Sequence, residues 1–377
     1  MKSSEREQIC TMALARQQFF NLAEARYLYE TVGSATDIVE HRHDIADLVP
    51  DAAPRVAEAL RGIDSWIEQA KAEWQYTTQY NIQVLTLHDD DYPNRLRECD
   101  DAPLVLFYKG NADLNARRVV CIVGTRRCTV YGQDMIRRFM ADLRHHCPEV
   151  LIVSGLAYGV DICAHNEALV CGYPTVGVLA HGLDDLYPAR HRQVAQRMVG
   201  QGGLLTEFTT HTNADKMNFV RRNRIVAGMA DACILVESAA HGGGMITAEL
   251  AREYNREVFA FPGRVGDCYS EGCNNLISQN VAALLTGAEG FLKAMGWETD
   301  AKLAKAQKQG IPRQLFPDLS DEEQNVVNVL QAQNDLQINM LSVQSNVPIG
   351  QLTAILFQLE MKGVVRTLAG GMYHLLK

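Results

Sequence analysis

Residues Lys216 to Glu249 read KMNFVRRNRIVAGMADACILVESAAHGGGMITAE. The first nine carry four cations (Lys216, Arg221, Arg222, Arg224) and one aromatic, Phe219, with no acid. An apolar run, Ala232 to Val236, follows, then Glu237 and the string Gly242, Gly243, Gly244 ahead of Met245 to Glu249. The order is helix, buried strand, glycine loop, helix, which leaves backbone N–H groups open at the end of a strand. Guanidinium groups, an aromatic face and open amides suit nucleotides or single-stranded nucleic acid. At 3.6 residues per turn Arg221 and Arg224 share a helix face while Arg222 projects about 100° away, so the three cannot meet one phosphate. Phe219 reads either as a stacking platform for a base or as a core aromatic.

Outward from this unit, short β-rich runs recur at Ile82–Leu87, Leu104–Tyr108, Val119–Val123, Val150–Val153, Thr175–Leu179, Leu204–Glu207 and Val258–Phe261. Between most of them lie stretches of helical periodicity, such as Gln133–His145 and Val160–Val170. Alternating β and α predicts a doubly wound parallel sheet, with ligands outside the carboxyl ends of its strands. The loops placed there are Gly124–Gly132, Ser154–Gly159 and Ala239–Gly244. Residues 1–78 show helix-like spacing and predict a small helical domain. The body is assigned to 79–298. A polar segment with Gly310, Pro312 and Pro317, at 299–319, reads as a linker. Residues 320–377 predict three short helices and a hairpin, the order of a winged helix-turn-helix.

The chain has 377 residues, 47% of them hydrophobic, and a formal net charge of −9. It is long enough for two or three domains. No apolar run approaches the ~20 residues of a membrane helix and no signal-peptide pattern opens the chain, so a cytoplasmic protein without a membrane partner is expected. The ten cysteines are scattered without a C-x-x-C pair, and no metal site is expected.

Within the carboxyl-edge loops, Gly124, Thr125 and Arg126 would face a bound anion, although the same residues serve as an ordinary β-to-α turn. G-x-G-x-x-G is absent, which disfavours nicotinamide and flavin enzymes, and no cofactor is expected. Gly242–Gly244 lacks the Gly-Lys-Ser/Thr of a P-loop, so ATP hydrolysis has no machinery. Asp161 is placed to cap the following helix and to bond His165 four residues on, in preference to an acid/base couple. The third helix of the C-terminal domain offers Gln351, Thr353 and Gln358 but only Lys362 as a cation, with Arg366 on the wing. That face is expected to contact protein rather than duplex DNA.

From Tyr92-Pro93 to Leu285 the motifs together resemble the DprA/Smf family. They are Val123-Gly-Thr-Arg126, Ser154-Gly-Leu-Ala-Tyr-Gly-Val-Asp161, Gly182-Leu-Asp-Asp-Leu-Tyr-Pro188, Phe219 to Gly228, Ile246-Thr-Ala248, Val258 to Gly263 and Gly272 to Ile277. The resemblance implies a Rossmann-like core and a protein that binds single-stranded DNA taken up in natural transformation, protects it and loads RecA recombinase onto it, without turnover. By motif position it implies DNA contacts from Arg126, Lys216, Phe219, Arg222, Asn223 and Arg224, with Gly124, Thr125, Ser154, Gly155, Gly243 and Gly244 completing the wall. A homodimer is expected, because an acidic body with a small basic pocket needs several protomers along one strand.

The chain departs from the family pattern in three places. Gly-Thr-Arg replaces the usual Gly-Ser-Arg, keeping a hydroxyl. Gly243-Gly244-Met245 stands where Ser-Gly-Ser is common, removing any serine contact. The N-terminal region resembles a sterile-alpha-motif or helix-hairpin-helix unit only loosely, and DNA binding is not carried over to it. The competing reading is a nucleoside-monophosphate glycosidase similar to the lysine-decarboxylase-like phosphoribohydrolases, with Glu249 acting at the ribose. Those enzymes carry Pro-Gly-Gly-x-Gly-Thr-x-x-Glu, whereas here Thr247 precedes Glu249 by two residues and Ile246 replaces the inner glycine.

Overall fold

In the computed structural model Val119–Val123 (β3), VVCIV, is buried along its whole length. Its alternate side chains feed two different cores. Val119, Cys121 and Val123 join one hydrophobic cluster and Val120 and Ile122 the other, as the two-residue repeat of a strand covered on both faces requires. The structure describes residues 3–16, 22–52, 54–297, 319–368 and 370–376.

Around β3 lie Leu151–Ser154 (β4), Thr175–Val178 (β5), Gly202–Thr206 (β6), Ala232–Leu235 (β7), Glu257–Ala260 (β8) and Ala283–Leu284 (β9). With Gln83–Thr86 (β1) and Val105–Gly110 (β2) they form one sheet of order β1-β2-β6-β5-β4-β3-β7-β8-β9. The strands from β6 to β9 pair in parallel, with Val120 opposite Ala232 and Val119 opposite Leu151. The chain runs outward from β3 to β6, then returns to lay β7 on the other side of β3. The topological switch point therefore falls between β3 and β7.

The doubly wound parallel sheet expected from the sequence is present from β6 to β9, and β1 and β2 extend it as antiparallel strands, β1 on β2 and β2 on β6. A direct antiparallel pair needs no crossover helix. The short edge strand β9 was not anticipated.

Six helices precede the sheet among the described residues, from Glu5–Ala15 (α1) to Asp64–Gln79 (α6). They share a hydrophobic cluster with β1 and β2. Glu73 accepts from Thr210 N (2.9 Å) and Oγ1 (2.6 Å), tying α6 to the loop after β6.

Around the body pack Asn94–Arg97 (α7), Val130–His146 (α8), Val160–Val170 (α9), Arg192–Gln201 (α10), Lys216–Gly228 (α11), Gly243–Glu253 (α12), Glu271–Ser278 (α13) and Ala288–Ala294 (α14). The C-terminal region comprises Asp321–Ala332 (α15), Ile338–Ser345 (α16), Ile349–Met361 (α17) and a three-stranded sheet around a separate core. A Ser320–Glu323 capping box starts α15. Arg117 and Asp335, 3.3 Å apart, and Gln337 and Glu98, 2.9 Å apart, link this region to the body near the amino ends of β3 and β7. The predicted linker, 299–319, lies outside the described residues except for Leu319.

Candidate nucleic-acid interface

Loops after β3, β4 and β7 converge at the switch point. Thr125 N donates to Glu237 O (2.6 Å) and Thr125 O accepts from Val160 N (3.1 Å), so backbone bonds alone bring the three together. The glycines allow this closeness. A Cβ on Gly124 would lie 2.6 Å from Glu237 O, and one on Gly244 2.9 Å from Gly124 Cα. Gly243, at the exposed first position of α12, has open space where its Cβ would be. No side chain caps α12, so its first turn presents N–H groups and the positive end of the helix dipole to the crevice.

On the β6 side of this crevice Asp215 caps α11 by accepting from Asn218 N (2.8 Å), which sets the first turn carrying exposed Lys216 and half-buried Phe219. The exposed Arg126 guanidinium lies 4.7 Å from the Phe219 ring centroid, and Arg222 5.9 Å from it. Tyr187 meets Phe219 edge-on, with centroids 5.8 Å apart. Phe219 is thus neither free nor buried in a core. It is a half-buried ring with two cations close to it.

Sequence reasoning singled out neither Tyr187 nor Tyr158 as a site residue. Tyr158 is exposed and packs edge-on against His191 at 5.1 Å. Its loop lies against Arg126, since a Cβ on Gly159 would fall 2.5 Å from Arg126 C. Both tyrosines lie within quoted motifs, but their contacts depend on loops far apart in the chain.

Four predicted contact residues are turned inward. Arg222 is 4% exposed, and its Nη1 donates to Gly155 O (2.7 Å) and to Val178 O. Burial lowers its pKa to about 10, opposed by Asp161, which leaves it cationic at neutral pH. Arg224 donates to Glu207 (2.6 Å) and to Asp101 O, with a side chain 7% exposed. Ser154 is fully buried and donates to Ile122 O (2.6 Å). Gly155 is buried under Arg222, whose Nη1 would stand 2.2 Å from an added Cβ. These residues support the loops instead of lining the surface, because charges buried in this way need partners. Asn223 is half-buried.

The expected Asp161–His165 bond is also replaced. Asp161 accepts from Gly155 N (3.1 Å) and Ala157 N (3.3 Å), closing the loop before its helix. His165 Nδ1 lies 2.7 Å from Thr175 Oγ1, which donates to Ile152 O. With the hydroxyl proton spent on Ile152 O, the imidazole donates from Nδ1. Burial, with Arg222 and His191 nearby, lowers its pKa from 6.5 to about 3. Because the unfolded chain binds this proton first, His165 contributes stability above pH 6.5 that is lost as pH falls toward 3, at up to about 1.4 kcal/mol per pH unit. Urea unfolding at about pH 7 and pH 5 should show a steeper loss for the parent than for His165→Gln. Parallel losses would sink this assignment.

Glu249, the carboxylate of the glycosidase reading, is exposed on α12. The carboxylate at the switch point is Glu237, 4% exposed, which accepts from Thr129 N (2.8 Å) and Oγ1 (2.5 Å) at the start of α8. Among the described residues no group of three His, Cys, Asp or Glu is arranged to hold a metal ion.

Two family profiles match the chain, DNA recombination-mediator protein A over residues 83–296 and the DprA winged helix domain over residues 312–371. The DNA processing protein DprA of Streptococcus pneumoniae is 38% identical over 201 residues, covering 53% of this chain and 70% of that protein. A crystal structure of DNA processing protein A from Streptococcus pneumoniae is similar with a TM-score of 0.64 at 32% identity, over 78% of this chain and 98% of that one. A second structure, described as giving insight into the single-stranded DNA binding mode of DNA processing protein A from Helicobacter pylori, has a TM-score of 0.52 at 28% identity, over 58% and 96%.

Proposed function

Because the chain belongs to the DNA recombination-mediator protein A family, DprA/Smf, we propose that it binds single-stranded DNA across the switch point, protects strands during DNA uptake and natural transformation, and loads RecA recombinase onto them. The observation that carries the binding reading is Phe219, a half-buried ring close to Arg126 and Arg222 and one helical turn from Lys216. A single strand offers base faces to such a ring, whereas a duplex hides them in its stack. Phosphates would meet Arg126, Lys216 and the amides of Gly124, Thr125, Gly243 and Gly244, with Asn223 beside them and Arg222 adding charge from beneath. The Helicobacter pylori protein's single-strand binding supports this reading by similarity.

Residues 1–78 act in this proposal as a helical domain, 79–298 as the DNA-binding body, 299–319 as a linker and 320–377 as the winged helix. The expected setting is the cytoplasm, with two copies acting together, since a protein of net charge −9 holds a polyanion more firmly through several basic sites. On α17 the exposed side chains include the apolar Ile349, Phe357 and Met361 and the uncharged Gln351, Thr353 and Gln358, with Glu360 adding an acid, and Lys362 is held by Glu323 at 2.6 Å. The winged helix therefore serves protein contact better than duplex reading. No role as a catalyst enters this proposal, since the carboxylate at the switch point is engaged at the start of α8.

Fluorescence anisotropy with a labelled single strand of about 30 nucleotides and its duplex, across a salt series, tests the ligand class. The parent should prefer the single strand, with log affinity falling by about 0.7 per phosphate neutralised for each unit of log salt. Lys216→Ala should weaken binding to all sequences and flatten that slope by about one phosphate's worth. Equal affinity for duplex and single strand would refute the assignment.

A further inference from the structure

We propose a second base-binding subsite for the same single strand, in the cavity between the helical region and the loop after β6; the inference rests on the function proposed above. The cavity has a volume of about 480 Å³, and its walls include Arg16, Trp66, Phe208, Thr212, Asn218 and Arg221. Arg16 lies 5.7 Å from the Trp66 ring centroid, and Arg221 5.7 Å from that of Phe208. This repeats the arrangement of Arg126 on Phe219. Phe208 is 8% exposed and forms the floor, whereas Trp66 is half-buried and keeps part of its ring open. Glu207, the one acid among the described wall residues, is paired with Arg221 (3.2 Å) and Arg224 (2.6 Å), so these residues are cationic on balance although the protein is acidic.

The two sites lie along one edge of the sheet. Phe208 and Thr212 follow β6 at the same carboxyl edge as Arg126, which follows β3. Three strand spacings separate β3 from β6, roughly 14 Å, or about four stacked nucleotides. Across that gap α11 presents Lys216, Met217, Val220 and Arg221 to solvent, with Met217 74% and Val220 41% exposed. Cations for phosphates alternate there with apolar surface for sugars and bases. Asn218 and Thr212 at the cavity add polar groups suited to a base edge. A strand seated on Phe219 would pass over the first turns of α11 and place a later base against Trp66.

The test compares labelled strands of about 3 nucleotides, too short to span both sites, and about 15 nucleotides on the full-length protein. The parent should bind the longer strand more tightly. Trp66→Ala should weaken the longer strand by about five- to a hundred-fold and leave the shorter one unchanged. Arg16→Ala should weaken it by a few-fold, and it decides the matter if Trp66→Ala fails to fold. Tryptophan fluorescence should be quenched by the longer strand in the parent, and this quench should be lost in Trp66→Phe. If neither variant changes longer-strand affinity while Lys216→Ala loses both lengths, the subsite is refuted and the switch-point site stands. If the parent binds neither strand, both fall together.

Discussion

Arg222→Met should destabilise the folded protein by about 3–5 kcal/mol, read as a shift in its urea transition, before any effect on DNA is considered. The guanidinium holds the carbonyls of Gly155 and Val178, which end neighbouring strands, and it is the principal cation facing the buried Asp161. Burial pushes the Asp161 carboxyl up, and Arg222 pulls it back. Methionine keeps most of the volume but leaves two carbonyls unpaired and one buried carboxylate uncompensated. Adding Asp161→Asn should recover part of the loss, because the amide carries no charge to strand, so the double variant falls short of the sum of the singles. An Arg222→Met transition within about 1 kcal/mol of the parent would show that the residue is not the support described.

Phe219→Ala should cost about 1–3 kcal/mol of single-strand affinity, about five- to 150-fold, with the salt slope unchanged, since no phosphate contact is removed. Arg126→Ala should weaken binding and lower the slope by about 0.7. The two losses should not add. Arg126 is held 4.7 Å from the Phe219 centroid, so removing the ring also frees the cation, and a coupling of at least about 0.5 kcal/mol is expected. The four proteins can be compared by anisotropy across one salt series. Additive losses, or a slope altered by Phe219→Ala, would separate the two residues and count against a shared platform.

The choice of residues around Phe219 shows how far local pattern reaches. Lys216 and Arg126 are exposed; the cation-rich stretch without acids points to the first, and the Gly-Thr-Arg loop after a buried strand to the second. Arg222 and Arg224 looked the same in sequence yet are buried. Arg224 is tied to Asp101, 123 residues away, and Arg222 to Gly155, 67 residues away. Helical spacing correctly separated Arg222 from the face shared by Arg221 and Arg224, both of which reach Glu207. It could not tell which face met solvent. Ser154 is ambiguous in sequence for a related reason: a hydroxyl at a strand end serves a ligand or the neighbouring strand equally well, and here it donates to Ile122 O.

What the sequence determined by itself was the alternation of strands and helices, and with it the edge where a ligand would sit. Both follow from short-range periodicity and from the rule that β-to-α loops gather at the carboxyl ends of parallel strands. The antiparallel pairing of β1 and β2, the contact of Tyr187 with Phe219, the division of the arginines into exposed and buried, and the cavity beside Trp66 were decided only by the tertiary structure. Each depends on segments far apart in the chain, and a side chain's hydration, charge partner and exposure exist only once those segments have met.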